Sequence, residues 1–121
     1  AGNGAVLTFS SVAAQVGLDF HSSIAASKSA LEGFVKAMAA EYATKVRFNS
    51  LAISLTNTKL SEKLLNSDSK IELAKARNPL KKIGDPLKIA KFAAVINSTD
   101  CDWVSGQIIH FDGGMSSLKT F

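Results

Sequence analysis

The sequence predicts an α/β fold on a parallel sheet, and three observations predict it. An apolar run (Ala5–Phe9), a long helical pattern (about Ser22–Ala43) and a second apolar run (Val46–Ile53) follow one another through short connections. A strand, a helix of this length and a strand form a crossover unit, and crossovers pair their strands in parallel. A further helix, opened by Asp85-Pro86, then leads to a third short strand at Gln107–Phe111. The first run is also nearly continuous in its apolar character rather than alternating, as expected of a strand in a covered parallel sheet.

Ser10 and Ser11 end the first strand, and a loop containing Gly17 leads to the long helix. Ala26, Ala30, Leu31, Phe34, Val35, Met38 and Tyr42 recur there at helical spacing. Ala25, Ser29, Gly33, Ala37 and Ala40 make the exposed side small, which lets another helix approach closely. High alanine content also favours helix by itself. After the second strand, Leu60–Leu65 and Ser69–Arg77 read as two short helical pieces broken at Asn66-Ser67-Asp68, forming a flap. Ser69 and Glu72 have capping-box spacing for the second piece. Asn78-Pro79 breaks the chain. Asp85 is a good N-cap and Pro86 a good first helical residue. The stripe Ile89, Phe92, Ala93, Ile96 faces inward, and Asn97–Asp100 ends that helix. Ser105-Gly106 and Asp112-Gly113-Gly114 are turns on either side of the last strand.

Composition narrows the function classes. A chain of 121 residues, 46% apolar and 20% charged, is an ordinary globular domain with one modest core. Its apolar runs fall far short of a membrane span, and nothing reads as a signal peptide. The formal charge of +4 comes from scattered lysines without an arginine-rich block, so solvated helix faces are expected rather than a nucleic-acid surface. Cys101 is the single cysteine and reads as a loop or core thiol; a reducing compartment, the cytoplasm by default, is expected. The chain reaches its first strand directly after Ala1-Gly2-Asn3-Gly4, so it reads as the middle of a larger fold.

The stretch from Ser10 to Lys28 carries the specific signal. A serine ends a strand, position 24 lies thirteen residues beyond Ser11, and Lys28 follows four residues later. With the Gly84-Asp85-Pro86 helix start and the Gly106-Gln107…Asp112-Gly113-Gly114 strand, this resembles the short-chain dehydrogenase/reductase family over nearly the whole chain. The family has a tyrosine where this sequence has Ile24. The resemblance implies a Rossmann-like, doubly wound parallel sheet. This chain would supply its C-terminal part, about three strands with a long helix, a flap and a closing helix. The dinucleotide-binding half would lie N-terminal to it. No glycine-rich strand-to-helix motif of that half is found here.

In the resembled family the tyrosine moves a proton while hydride moves to or from the nicotinamide. The lysine's cation favours the phenolate and also bonds the nicotinamide ribose. The serine positions the substrate oxygen. Carried over, this implies Ser11 and Lys28 as the catalytic pair and Lys28 and Thr58 as contacts to NAD or NADP. The family's Pro-Gly before that threonine is Ile53-Ser54 here. Ser10 is the weaker choice of the two serines. Ile24 has no proton to give. Tyr42, fourteen residues beyond Lys28, is about 20 Å farther along the helix from that lysine and cannot replace it. His21, one turn before Ile24, is the nearest titratable side chain, and imidazole changes charge near neutral pH; it is expected to be a loop residue, with a substitute-acid role the alternative. His110 reads as a packed or edge histidine.

Three readings follow: a degenerate half of an oxidoreductase, not expected to turn over as given, a non-catalytic binding or oligomerisation module of the same fold, or part of a longer enzyme whose other half supplies a different acid. A homo-oligomer is expected through the Ser22–Ala43 helix, a four-helix contact in the resembled family, and through the open edge of the first strand. The small-molecule substrate is not specified by the sequence, and neither a nucleic-acid nor a membrane partner is expected.

Overall fold

The computed structural model describes residues 3–121; the opening Ala1-Gly2 lies outside the described residues. Three strands form one parallel sheet in the order β1-β2-β3: β1 is Gly4–Ser11, β2 Val46–Ile53 and β3 Ile108–Phe111. The β2 boundaries coincide with those expected from sequence, and β1 extends past the expected run at both ends. The long helix α1 is Ser22–Glu41, and the closing helix α3 is Pro86–Asn97. Asp85 caps α3 by accepting from Leu87 N at 2.9 Å, with Pro86 in the first turn.

The two helices cover opposite faces of the sheet. On one face Val35 and Ala39 of α1 meet Phe48, with Met38, Val46 and Ile108 around them. On the other, Phe92 of α3 lies 5.2 Å from Phe111 between ring centroids. Ile108 and Phe111 are an odd number of residues apart on one strand, so they point to opposite faces. Burying a side chain such as Val35 completely stabilises by about 1.5–3 kcal/mol.

The inward face of α1 differs from the expected stripe. Val35 and Ala39 are buried and Leu31 and Met38 half-buried, whereas Ala26 and Ala30 are exposed and Phe34 is 54% exposed. The helix is turned so that Lys28 and Glu32, two turns and one turn before Val35, reach β1 and its following loop. Two polar anchors thus set the rotation and move Phe34 outward. Ser29, Gly33, Ala37 and Ala40 are exposed, as expected, whereas Ala25 is half-buried.

The flap comprises a 3-10 stretch, Lys59–Leu64, and a helix α2, Asp68–Ala76. Its expected cap is corrected. Ser67, not Ser69, accepts from Lys70 N, and Glu72 pairs with Lys75 at 3.1 Å instead of reaching back. Ser67 wins because it holds the extended backbone an N-cap needs. The flap is pinched at its base, where Asn57 N donates to Gly84 O and Gly84 N to Leu55 O, both at 2.9 Å. A Cβ on Gly84 would come within 2.5 Å of Thr56 Oγ1, so glycine permits the approach.

Arg47 and Asn49 lock the α3–β3 connection onto β2. The Arg47 guanidinium donates to the carbonyls of Ile96, Ser98 and Val104 at 2.9–3.1 Å, neutralising the C-terminal end of α3. Asn49, 1% exposed, donates to Val104 O at 2.9 Å and accepts from Gln107 N at 3.0 Å.

Candidate active site

In an open parallel sheet, ligands meet the chain at the carboxyl ends of the strands. Here those ends bring together Ser11 after β1, the Ser54–Thr58 loop after β2 and Asp112-Gly113-Gly114 after β3. The first two strand ends lie side by side, since Ser11 is in register with Ile53.

Ser11 caps a short 3-10 turn, Val12–Ala14, and its Oγ accepts from Ala13 N at 3.1 Å. That bond uses a lone pair and fixes the oxygen, while the hydroxyl proton stays available to a ligand. Ser10 is placed differently. It is 2% exposed and donates to Glu32 Oε1 at 2.7 Å. Gln15 Nε2 donates to the same oxygen at 2.6 Å. Glu32 therefore ties the strand end and the following loop to α1, the helix that carries Ile24 and Lys28. The sequence reading missed this residue.

Lys28 Nζ donates to Phe9 O at 2.8 Å. Phe9 is two residues before Ser11, about 7 Å along the strand. Ile24, one turn earlier on the same helix face, is 38% exposed and presents only hydrocarbon. His21 caps the start of α1 without a side-chain cap bond; its Nδ1 contacts Asp19 O at 2.7 Å. Tyr42 follows the far end of α1, 6.2 Å from the Phe48 ring, and is not part of this group.

Thr58 is exposed at the start of the flap. Its backbone N–H donates to Ser61 Oγ at 3.0 Å. With Asn57, Lys59, Glu62, Leu65 and Asn66 it lines a cavity of about 520 Å³. Ser11 and Lys28 do not line that cavity. The turn after β3 is built on Asp112, which is 5% exposed. Its carboxylate accepts from Gly114 N, Ser116 N and Ser116 Oγ. Buried Asn78, at the end of the flap, donates to the carbonyls of Asp112 and Gly113, each at 2.9 Å. His110 is exposed, its Nδ1 3.1 Å from Ser116 Oγ.

Of the residues expected from sequence, the fold brings Ser11, Ile24 and Lys28 to one end of β1 and sets Thr58 on the neighbouring loop. β1 continues into Val12–Ala14 and β2 into Ser54-Leu55-Thr56-Asn57, so neither strand end is followed by glycine. Lys28 and Thr58 bring a hydrogen-bonding ammonium and hydroxyl to these strand ends, and none of these residues forms a pyrophosphate cradle. Among the described residues there is no His/Cys/Asp/Glu cluster able to hold a metal, and no helix long and apolar enough to cross a membrane.

Comparison with known proteins agrees with this layout. The family model described as enoyl-(acyl carrier protein) reductase matches residues 1–116. The 3-oxoacyl-[acyl-carrier-protein] reductase FabG of Chlamydia trachomatis is 34% identical over 115 residues, covering 94% of this chain and 46% of that protein. A Xanthobacter autotrophicus protein named inactive 2-(S)-hydroxypropyl-CoM dehydrogenase 2 is 32% identical over 120 residues, covering 95% of this chain and 52% of its own length. Gluconate 5-dehydrogenase from Burkholderia cenocepacia, solved in complex with NADP and tartrate, superposes with a TM-score of 0.88 at 26% identity, over 98% of this chain and 47% of that one. The chain thus spans about half the length of the relatives it matches. With a family model matched along almost its whole length and the same three-stranded parallel architecture, the chain belongs to the short-chain dehydrogenase/reductase family.

Proposed function

We propose that this chain is the C-terminal, substrate-side half of an NAD(P)-dependent short-chain dehydrogenase/reductase whose site has lost its proton donor. The observation that carries the reading is Ile24. It sits one turn from Lys28 on the same helix face, and it offers hydrocarbon where proton transfer needs a hydroxyl. When bound, a nicotinamide supplies or accepts a hydride. Around it Ser11 would donate to a substrate oxygen from a hydroxyl already fixed by Ala13 N. Lys28 would leave Phe9 O for a ribose hydroxyl, and Thr58 would contact the nicotinamide side. Ile24 has no proton to give, and the ring of His21, one turn earlier, contacts Asp19 O at 2.7 Å through Nδ1, so on this reading the site binds and orients without turning over. A cytoplasmic location fits the single cysteine.

The test pairs the chain with the dinucleotide-binding half of a relative and follows NAD(P)H consumption with carbonyl substrates. Ile24→Tyr is expected to raise turnover from background by at least a hundredfold, within the range of general acid catalysis. Cofactor binding without turnover in Ile24→Tyr would refute the reading of a single lost donor. Absence of cofactor binding in both forms would favour the second reading, a non-catalytic oligomerisation module. That reading is favoured by the exposed small-residue face of α1, through which we propose that the chain forms homo-oligomers.

A further inference from the structure

Lys28 and Glu32 are four residues apart on α1, the spacing at which side chains of opposite charge meet on one helix face. Both reach β1, and their partners there are adjacent residues. Lys28 Nζ donates to Phe9 O at 2.8 Å, and Glu32 Oε1 accepts from Ser10 Oγ at 2.7 Å. Yet no ion pair joins them, the only salt bridge among the described residues being Lys75–Glu72. Glu32 Oε1 is taken twice, by Ser10 Oγ and by Gln15 Nε2 at 2.6 Å, and Ser10 is 2% exposed. Hydrogen bonds to a charged acceptor outweigh an i, i+4 ion pair on a solvated helix face, so the carboxylate stays with these donors. Both donors are neutral. They hold a negative charge in place without cancelling the positive charge one turn away.

We propose that Ser10 and Gln15 are positioning residues for Lys28: they hold the Glu32 carboxylate off its ammonium. The lysine keeps a backbone carbonyl as its partner, which a ribose hydroxyl can replace, whereas a carboxylate would compete for the ammonium with a full charge. Without the two donors Glu32 turns to Lys28, and the ammonium is held along α1. The consequence for the cofactor rests on the role proposed above for Lys28. The separation of the two charges does not, and the two are tested apart.

The experiment is reductive methylation of the 121-residue chain, read by peptide mass as the rate at Lys28 relative to Lys36, an exposed lysine on the same helix. Ion pairing favours the protonated amine and slows this reaction. In Ser10→Ala/Gln15→Ala the ratio is expected to fall about twofold, the effect of one i, i+4 pair, and adding Glu32→Gln should bring it back. Glu32→Gln alone should leave the ratio unchanged, because there is no pair to remove. A ratio that does not move in the double variant, or that Glu32→Gln does not restore, would overturn the proposal. So would a rise of that size in Glu32→Gln alone, which would show that the two charges already meet. Should the double variant fail to fold, Gln15→Ala with and without Glu32→Gln is judged by the same ratio. With the dinucleotide-binding half and Ile24→Tyr in place, turnover should fall about twofold in Ser10→Ala/Gln15→Ala and recover with Glu32→Gln, a rescue that loss of a merely structural clamp does not give. If that hybrid shows no turnover, the reading of Ile24 fails and the labelling ratio still decides this one.

Discussion

Replacing Glu32 by alanine tests whether the candidate site is held together from α1. The carboxylate accepts from Ser10 Oγ at 2.7 Å and from Gln15 Nε2 at 2.6 Å. Hydrogen bonds to a charged group contribute about 1.5–3 kcal/mol each; for a half-exposed carboxylate about 1 kcal/mol each is the fitting figure. The Ser10 hydroxyl, 2% exposed, then loses its partner at a further cost of about 1 kcal/mol. Glu32→Ala should therefore destabilise by about 3 kcal/mol, which for a chain of this length lowers Tm by about 12 °C. Glu32→Gln keeps an acceptor oxygen and should cost about 1 kcal/mol. The assay is urea unfolding of Ser10→Ala, Glu32→Ala and the double variant. A coupling of about 1–2 kcal/mol is expected, because each single change already removes the shared bond. A Glu32→Ala variant within 0.5 kcal/mol of wild type, or a double variant whose cost is the simple sum, would refute the clamp.

Two further outcomes follow from the loops. Arg47→Met should cost about 3 kcal/mol in chemical unfolding, since it releases three backbone carbonyls at the end of α3, while Arg47→Lys should recover only part because an ammonium lacks the planar fork. Gly113→Ala should destabilise by more than about 3 kcal/mol, because φ is +65° and the added Cβ would clash with the Asn78 amide; thermal unfolding will measure it.

The parts of the fold visible in the sequence are those whose causes are local. The second strand was legible from its apolar run between Lys45 and Ser54. The start of α3 was legible because Asp85 and Pro86 act on the helix they precede. The placement of Ser11, Ile24 and Lys28 followed from spacing along one strand and one helix. What stayed hidden has distant partners. Glu32 looks like an ordinary helix glutamate because its donors lie 17 and 22 residues earlier. Arg47 binds carbonyls 49 to 57 residues later, and backbone carbonyls leave no trace in a sequence pattern. The rotation of α1 was misjudged for the same reason, since Lys28 and Glu32 set it from outside the helix. Capping-box spacing, which points to Ser69, is visible in sequence, and the extended backbone that makes Ser67 the cap is not.

The flap meets the rest of the molecule through the pinch between Thr56 and Gly84 and the clasp of Asn78 on the turn after β3. A segment closed at its base has already lost the entropy of bringing its ends together, so its interior length and sequence weigh little on the sheet. The stretch from Thr58 to Arg77 is in this sense a replaceable cartridge. Segments from relatives with other ligand preferences can be grafted between the two fastenings, and the sheet beneath should not register the exchange.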